Sequence, residues 1–133
     1  MSSVVADTHT IVWYLANDAR LSQTAMQVLD LASATGEPIY VPSVCLVELT
    51  YLVEKGRLPS LARERLVRAL DEPFAPCRLV PLDRTVADAL QLIDRSEVPD
   101  MPDRVIAATA AALGVPLISR DATIRASTVQ TLW

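Results

Sequence analysis

Asp7, Glu48, Asp103 and Asp121 are carboxylates set in stretches that favour apolar or helix-capping residues. Asp7 follows Val4-Val5-Ala6, and Asp121 follows Leu117-Ile118-Ser119-Arg120, so two of them close short strand-like runs. Glu48 interrupts the apolar stretch Val44-Cys45-Leu46-Val47, and Asp103 opens the run Val105-Ile106-Ala107-Ala108. An anion in such a place is expensive unless something positive compensates it. Four converging acids would repel one another, and at least one would keep its proton unless a divalent cation joined them. An all-oxygen donor set, with a single histidine (His9), favours Mg²⁺ or Mn²⁺ over zinc. Such ions bridge phosphate oxygens and turn a bound water into a nucleophile, which is the chemistry of metal-dependent hydrolysis.

Each acid also has a purely structural alternative. Asp7 can cap the helix that follows it. Glu48 shares a helical face with Val44, Val47, Tyr51 and Leu52, so it is expected among apolar neighbours, where an arginine could pair with it. Asp103 begins a helix, where the dipole favours an anion, and Asp100 three residues earlier can share its direction or cap the turn. Asp121 alone reads as a turn residue. The argument for a site rests on the set.

These residues need elements to position them. The order read from periodicity is a strand at Ser3 to Ala6, a helix from Thr8 to Ala16, and a helix capped by Ser22 and stopped near Gly36. Ile39-Tyr40-Val41 is a second strand, leading into a long helix to about Lys55 and another from Ser60 to Leu70. Leu79 to Leu82 is a third strand, placed at a sheet edge by Pro81. Thr85 to Arg95 and Asp103 to Leu113 are helices, Val115 to Ser119 a strand, and Val129 to Leu132 a last one. Strands alternating with helices predict a parallel α/β sheet, helices on both faces, and a site beyond the carboxyl ends of the strands. Asp7 and Asp121 lie at two such ends.

Composition sets the bounds. The chain has 133 residues, 51% hydrophobic and 21% charged, which suits one ordered domain spanning 1–133. Neither a bilayer-spanning run nor a secretory leader is evident, so a cytoplasmic protein is expected. Cys45 and Cys77 read as buried free thiols. The net charge of −4 argues mildly against nucleic-acid binding, yet four clustered acids account for that excess and bound cations would reverse the local sign. Eleven of the twelve basic residues are arginine, Lys55 being the exception, a bias suited to bidentate phosphate contacts.

Several blocks then resemble a known family. Asp7-Thr8-His9, the Ser43-to-Leu49 helix with its Glu48-Leu49, Asp100-Met101-Pro102-Asp103-Arg104-Val105-Ile106-Ala107-Ala108, and Leu117-Ile118-Ser119-Arg120-Asp121 are similar to the PIN domain, in particular to VapC-type toxins of bacterial toxin–antitoxin pairs. The resemblance covers nearly the whole chain, and its third block is the most specific. It implies a PIN-like three-layer sandwich with a mainly parallel sheet of four or five strands. It also implies a ribonuclease using one or two Mg²⁺ or Mn²⁺ ions, with Asp7, Glu48, Asp103 and Asp121 as the acidic quartet. Asp100 matches a frequent additional acid and Ser119 a frequent hydroxyl beside the last aspartate. A homodimer held inactive by an antitoxin is the implied assembly. The block Asp100-Met101-Pro102-Asp103 departs from the commoner Asp-Pro-Phe-Asp while keeping the spacing of its acids.

On that reading Asp7 and Asp103 are metal ligands, direct or through water, and Glu48 and Asp121 hold metal waters. Arg104 and Arg120, next to acids, are candidates for RNA phosphates, while Arg63, Arg65 and Arg68 are expected to face solvent or a partner. His9 is expected to pack or hydrogen-bond rather than act as a base. Two alternatives stay open: a catalytically silent protein-binding PIN fold, and a haloacid-dehalogenase-like phosphatase. The phosphatase motif requires an Asp where His9 stands. A receiver domain would need a late lysine that the chain lacks, and three scattered glycines form no phosphate-cradling loop.

Overall fold

The computed structural model describes residues 3–133. Five strands form one parallel sheet: β1 (Val4–Ala6), β2 (Ile39–Pro42), β3 (Cys77–Val80), β4 (Leu117–Ile118) and β5 (Thr131–Leu132). Their spatial order is β3-β2-β1-β4-β5. Ala6 pairs with Ile118 across β1 and β4, and Val4 with Ile39 across β1 and β2. Parallel neighbours require crossovers, and helices supply them. They are α1 (Thr8–Ala16), α2 (Gln23–Thr35), α3 (Ser43–Glu54), α4 (Ser60–Asp71), α5 (Arg84–Ala89), α6 (Met101–Leu113) and α7 (Ala122–Arg125).

Val4, Val5 and Ala6 are all buried. Successive strand residues point to opposite faces, so burial of all three means that both faces of β1 are covered. The core continues through Ile39, Val41, Leu117 and Ile118 from the sheet and through Ile11, Leu29, Leu49 and Ile106 from the helices. Helix α6 presents Ala107, Ala108 and Ala110 to this core. Such small side chains let its axis approach the sheet closely, and it touches β1, β2, α3 and α5. Among the described residues no helix is long and apolar enough to cross a membrane.

The structure moves some expected boundaries. The third strand runs over Cys77–Val80, two residues earlier than expected, because Pro81 follows it rather than lying within it. It is an edge strand, as Pro81 implied. The helix expected from Thr85 to Arg95 begins at Arg84, where Asp83 accepts the Val86 N–H, and gives way after Ala89 to a 3₁₀ turn at Leu90–Leu92. Helix α7 lies where only a turn was foreseen. Asp121 nucleates it by accepting the Ile124 N–H at 3.0 Å.

Candidate active site: a ring of carboxylates at the carboxyl edge of the sheet

Strands β2 and β3 lie on one side of β1, and β4 and β5 on the other. The gap between β1 and β4 is therefore the place where connections leave in opposite directions, and such a gap opens a crevice beyond the strand ends. Asp7 follows β1 directly, and Asp121 follows β4 by three residues. A cavity of about 550 Å³ opens there, lined by Asp7, Glu48, Asp100, Asp103 and Asp121. Thr8, His9, Trp13, Ile106 and Arg120 complete its wall. The four acids singled out in the sequence, and Asp100 with them, thus meet at one mouth.

Three of them are held by helix starts. Asp7 Oδ1 accepts the Thr10 N–H at 3.0 Å, Asp100 Oδ2 the Asp103 N–H at 3.2 Å, and Asp121 Oδ1 the Ile124 N–H at 3.0 Å. The structural alternative for Asp7 and Asp121 therefore holds alongside the functional one, since each cap engages one carboxylate oxygen and the other is left over. Glu48 sits mid-helix on α3, half-buried, and accepts a hydrogen bond from Thr8 Oγ1 at 2.7 Å. No arginine pairs with it: among the described residues the ion pairs are Arg20–Asp18 and Arg84–Asp88. Its surroundings are also less apolar than expected. Cys45 and Leu49 turn into the core, which leaves Val47 and Tyr51 more than half exposed.

Electrostatics mark the site most clearly. Burial pushes the Asp103 carboxyl up to about 7, and the charges of Asp100, Asp121, Glu48 and Asp7 push the same way. Glu48 is also raised, chiefly by burial and then by Asp100 and Asp7, while the Thr8 hydrogen bond and His9 offset part of this. Close by, the Cys45 thiol is buried and held well above its usual range, so it is a packing residue rather than a nucleophile.

The donor set can be tested against a divalent cation. Among the described residues no three acid, histidine or cysteine side chains are drawn close enough to grip a bare ion between them. Mg²⁺, however, keeps several waters and is held by one or two carboxylates, so an open ring of oxygen donors suits it better than a closed cage. The upward push on the Asp103 carboxyl, from burial and then from four neighbouring carboxylates, reflects concentrated negative charge that a cation would offset. The residues fit a hydrated hard cation.

Other expected residues are placed differently. Ser119 is buried and outside the cavity wall, and its Oγ accepts the Asp121 N–H at 3.1 Å, so it steadies the turn that carries the last acid. Arg104 does not reach the cavity. Its guanidinium donates to the Ile93 and Leu90 carbonyls at 3.1 and 3.0 Å, closing the end of the 3₁₀ turn. Arg120 does line the wall. His9 is exposed and packs against Trp13 with ring centroids 5.5 Å apart, in line with the packing role expected of it. Sequence reasoning assigned no role to Thr8 or Trp13. Neither left a local signal: the partner of Thr8, Glu48, is 40 residues away, and Arg120 and Trp133, which lie against Trp13, are farther still.

A family model for the PIN domain matches residues 4–127, and the chain belongs to that family. Ribonuclease VapC22 of Mycobacterium tuberculosis is 30% identical over 125 residues, covering 94% of this chain and 92% of that protein. Among solved structures, VapBC2 from Rickettsia felis bound to a promoter DNA fragment superposes with a TM-score of 0.70 at 18% identity, over 98% of this chain and 97% of the other. FitAcB from Neisseria gonorrhoeae gives 0.66 at 22% identity, covering 98% and 96%. A toxin–antitoxin complex from Klebsiella pneumoniae gives 0.67 at 19%, again covering 98% and 96%. At these identities the structures establish the shared α/β fold. The phosphatase alternative falls with the family assignment.

Proposed function

We propose that this PIN-domain protein is a metal-dependent ribonuclease that hydrolyses RNA phosphodiester bonds, and the toxin of a toxin–antitoxin pair. One observation carries the reading: five carboxylates from four segments of the chain surround one cavity, where burial and then their mutual repulsion push the Asp103 carboxyl up to about 7. The likeness to a protein named as a ribonuclease, over nearly the full length of both chains, supports the same chemistry. The likeness to chains solved in toxin–antitoxin complexes supports an antitoxin partner. A homodimer and a cytoplasmic location complete the proposal.

Asp7, Asp103, Glu48 and Asp121, with Asp100 beside them, would hold Mg²⁺ or Mn²⁺. When bound, the ion supplies a water acidic enough to attack phosphorus near neutral pH and charge to offset the departing 3′-oxygen. A cation held by the ring would compete with the Asp103 proton, so metal binding there would weaken as pH falls. Thr8 fixes one oxygen of Glu48 and leaves the other for a water or ligand. The cap bonds of Asp7 and Asp121 fix the direction of their remaining oxygens in the same way. These carboxylates are oriented before substrate arrives, which lowers the reorganisation needed in the reaction.

The test is cleavage of labelled RNA by purified protein with Mg²⁺, with Mn²⁺ and with a chelator. Cleavage that needs metal and disappears in Asp7→Asn supports the reading. Absence of cleavage with either metal, alongside tight binding to a protein partner, would leave a catalytically silent binding module.

A further inference from the structure

The cavity must admit a polyanion although five acids surround it, and its wall holds one guanidinium, that of Arg120. The Arg120 Cζ lies 5.4 Å from the centroid of the Trp13 ring. Asp121 is its chain neighbour, yet among the described residues no carboxylate pairs with Arg120 and no acceptor takes its N–H groups. A guanidinium this close to an indole gains from the ring quadrupole, and at an exposed position such as that of Arg120 its planar donors stay available.

The same indole organises its surroundings. Arg20 lies over it at 5.3 Å, but Asp18 engages that guanidinium in bidentate fashion along its Nε–Nη2 edge, at 3.0 and 2.8 Å. Trp133 leans on it at 6.0 Å and His9 at 5.5 Å, the histidine ring exposed at the cavity rim. Trp13 itself is buried, and its Nε1–H has no acceptor among the described residues.

We infer that Arg120, seated on Trp13, is a subsite for a phosphate of single-stranded RNA, and that the neighbouring His9 ring offers a stacking surface to the adjoining base. The inference rests on the ribonuclease reading and adds to it the wall along which the strand lies. Planar guanidinium donors match a phosphate in bidentate fashion, and single-strand recognition joins such contacts to base stacking. Arg104 is engaged with backbone carbonyls, which leaves Arg120 as the cation facing the acids. Trp13 acts through Arg120 and is a positioning residue.

The experiment measures binding of a fluorescent single-stranded oligoribonucleotide to the Asp7→Asn protein in Mg²⁺ across a salt series, and cleavage kinetics in the otherwise unaltered protein. Arg120→Ala is expected to weaken binding about tenfold or more and to lower the salt slope by about one. KM should rise while kcat stays within a few-fold. Arg120→Lys should keep the salt slope and recover part of the affinity. Trp13→Leu should match the loss in Arg120→Ala, and the double variant should lose no more than either single change, since the two act as one unit. If Trp13→Leu fails to fold, Trp13→Phe, which keeps a ring under the guanidinium, should bind nearly as the parent does.

Unchanged affinity and salt slope in Arg120→Ala, with cleavage intact, would remove the subsite and leave the ribonuclease reading standing. Arg120-dependent RNA binding without cleavage by the unaltered protein would do the reverse. Retained RNA affinity with lost affinity for an antitoxin would reassign this wall to a protein partner and overturn the inference.

Discussion

Asp7 has two tasks in one side chain, a helix cap through Oδ1 and a cavity-facing oxygen beside it. Asparagine caps as well as aspartate does, so Asp7→Asn should leave the fold intact while removing the charge. Cleavage is expected to fall about a hundredfold or more, with a thermal midpoint equal to or above that of the parent. Asp103→Asn should behave alike and be the more stabilising of the two, because burial and four neighbouring carboxylates push the Asp103 carboxyl up to about 7. Unfolding in both variants would assign these acids to structure. Thr8 offers a subtler test. Thr8→Val removes the 2.7 Å bond to Glu48, so Glu48 should hold its proton to higher pH. The acid limb of the pH–rate profile should then move upward, and metal affinity should fall about ten- to a hundredfold.

At the scale of elements, the site depends on how α1 and β4 are tied together. Thr10 Oγ1 donates to the Ile118 carbonyl at 3.0 Å in a buried position, joining the helix that starts at Asp7 to the strand that leads to Asp121. The Asp7 N–H reaches the same carbonyl at 3.3 Å. Thr10→Val keeps the volume and deletes one of these links. It should destabilise the protein by about 1–2 kcal/mol in a denaturant titration. It should also lower activity beyond what stability explains, because the two aspartates are then tied by the Asp7 N–H bond alone. Activity unchanged at full stability would show that β4 holds its position through strand pairing alone. Helix α6 contributes differently: its alanines bring it against the sheet, and its first turn then delivers Asp103 to the cavity.

For the whole molecule, charge repulsion at the site links stability to pH. Asp103 has its ordinary value near 3.8 when unfolded and about 7 when folded, so the folded protein binds that proton more tightly. Its contribution to stability is fully present below about pH 4 and is lost as pH rises through the folded value of about 7. Glu48, also raised, acts with the same sign. Since both groups are only half-buried, solvent screening tempers the effect. In the absence of metal the thermal midpoint should therefore fall between about pH 4 and 7, and Asp103→Asn should flatten that fall. Mg²⁺ competes with the proton, so it should raise the midpoint more at the upper end of this range than at the lower. An equal response to Mg²⁺ at both ends would separate metal binding from the ionisation of Asp103.

The alternation of strands and helices, the edge position of the strand before Pro81 and the identities of the acids were legible in the chain, because periodicity and turn chemistry are local. Asp7, Glu48, Asp103 and Asp121 could be singled out only as a set, since each alone also reads as a cap, a paired core acid, a helix-start anion or a turn residue. Only the folded structure showed which of the two adjacent arginines faces the cavity, since Arg104 finds backbone carbonyls eleven and fourteen residues away and Arg120 finds Trp13. The Thr8–Glu48 bond, the exposure of Tyr51 and the near-neutral Asp103 likewise arise from groups distant in sequence. Hydrogen bonds, stacking and like-charge repulsion act over a few ångströms of space, and separation along the chain does not record those distances.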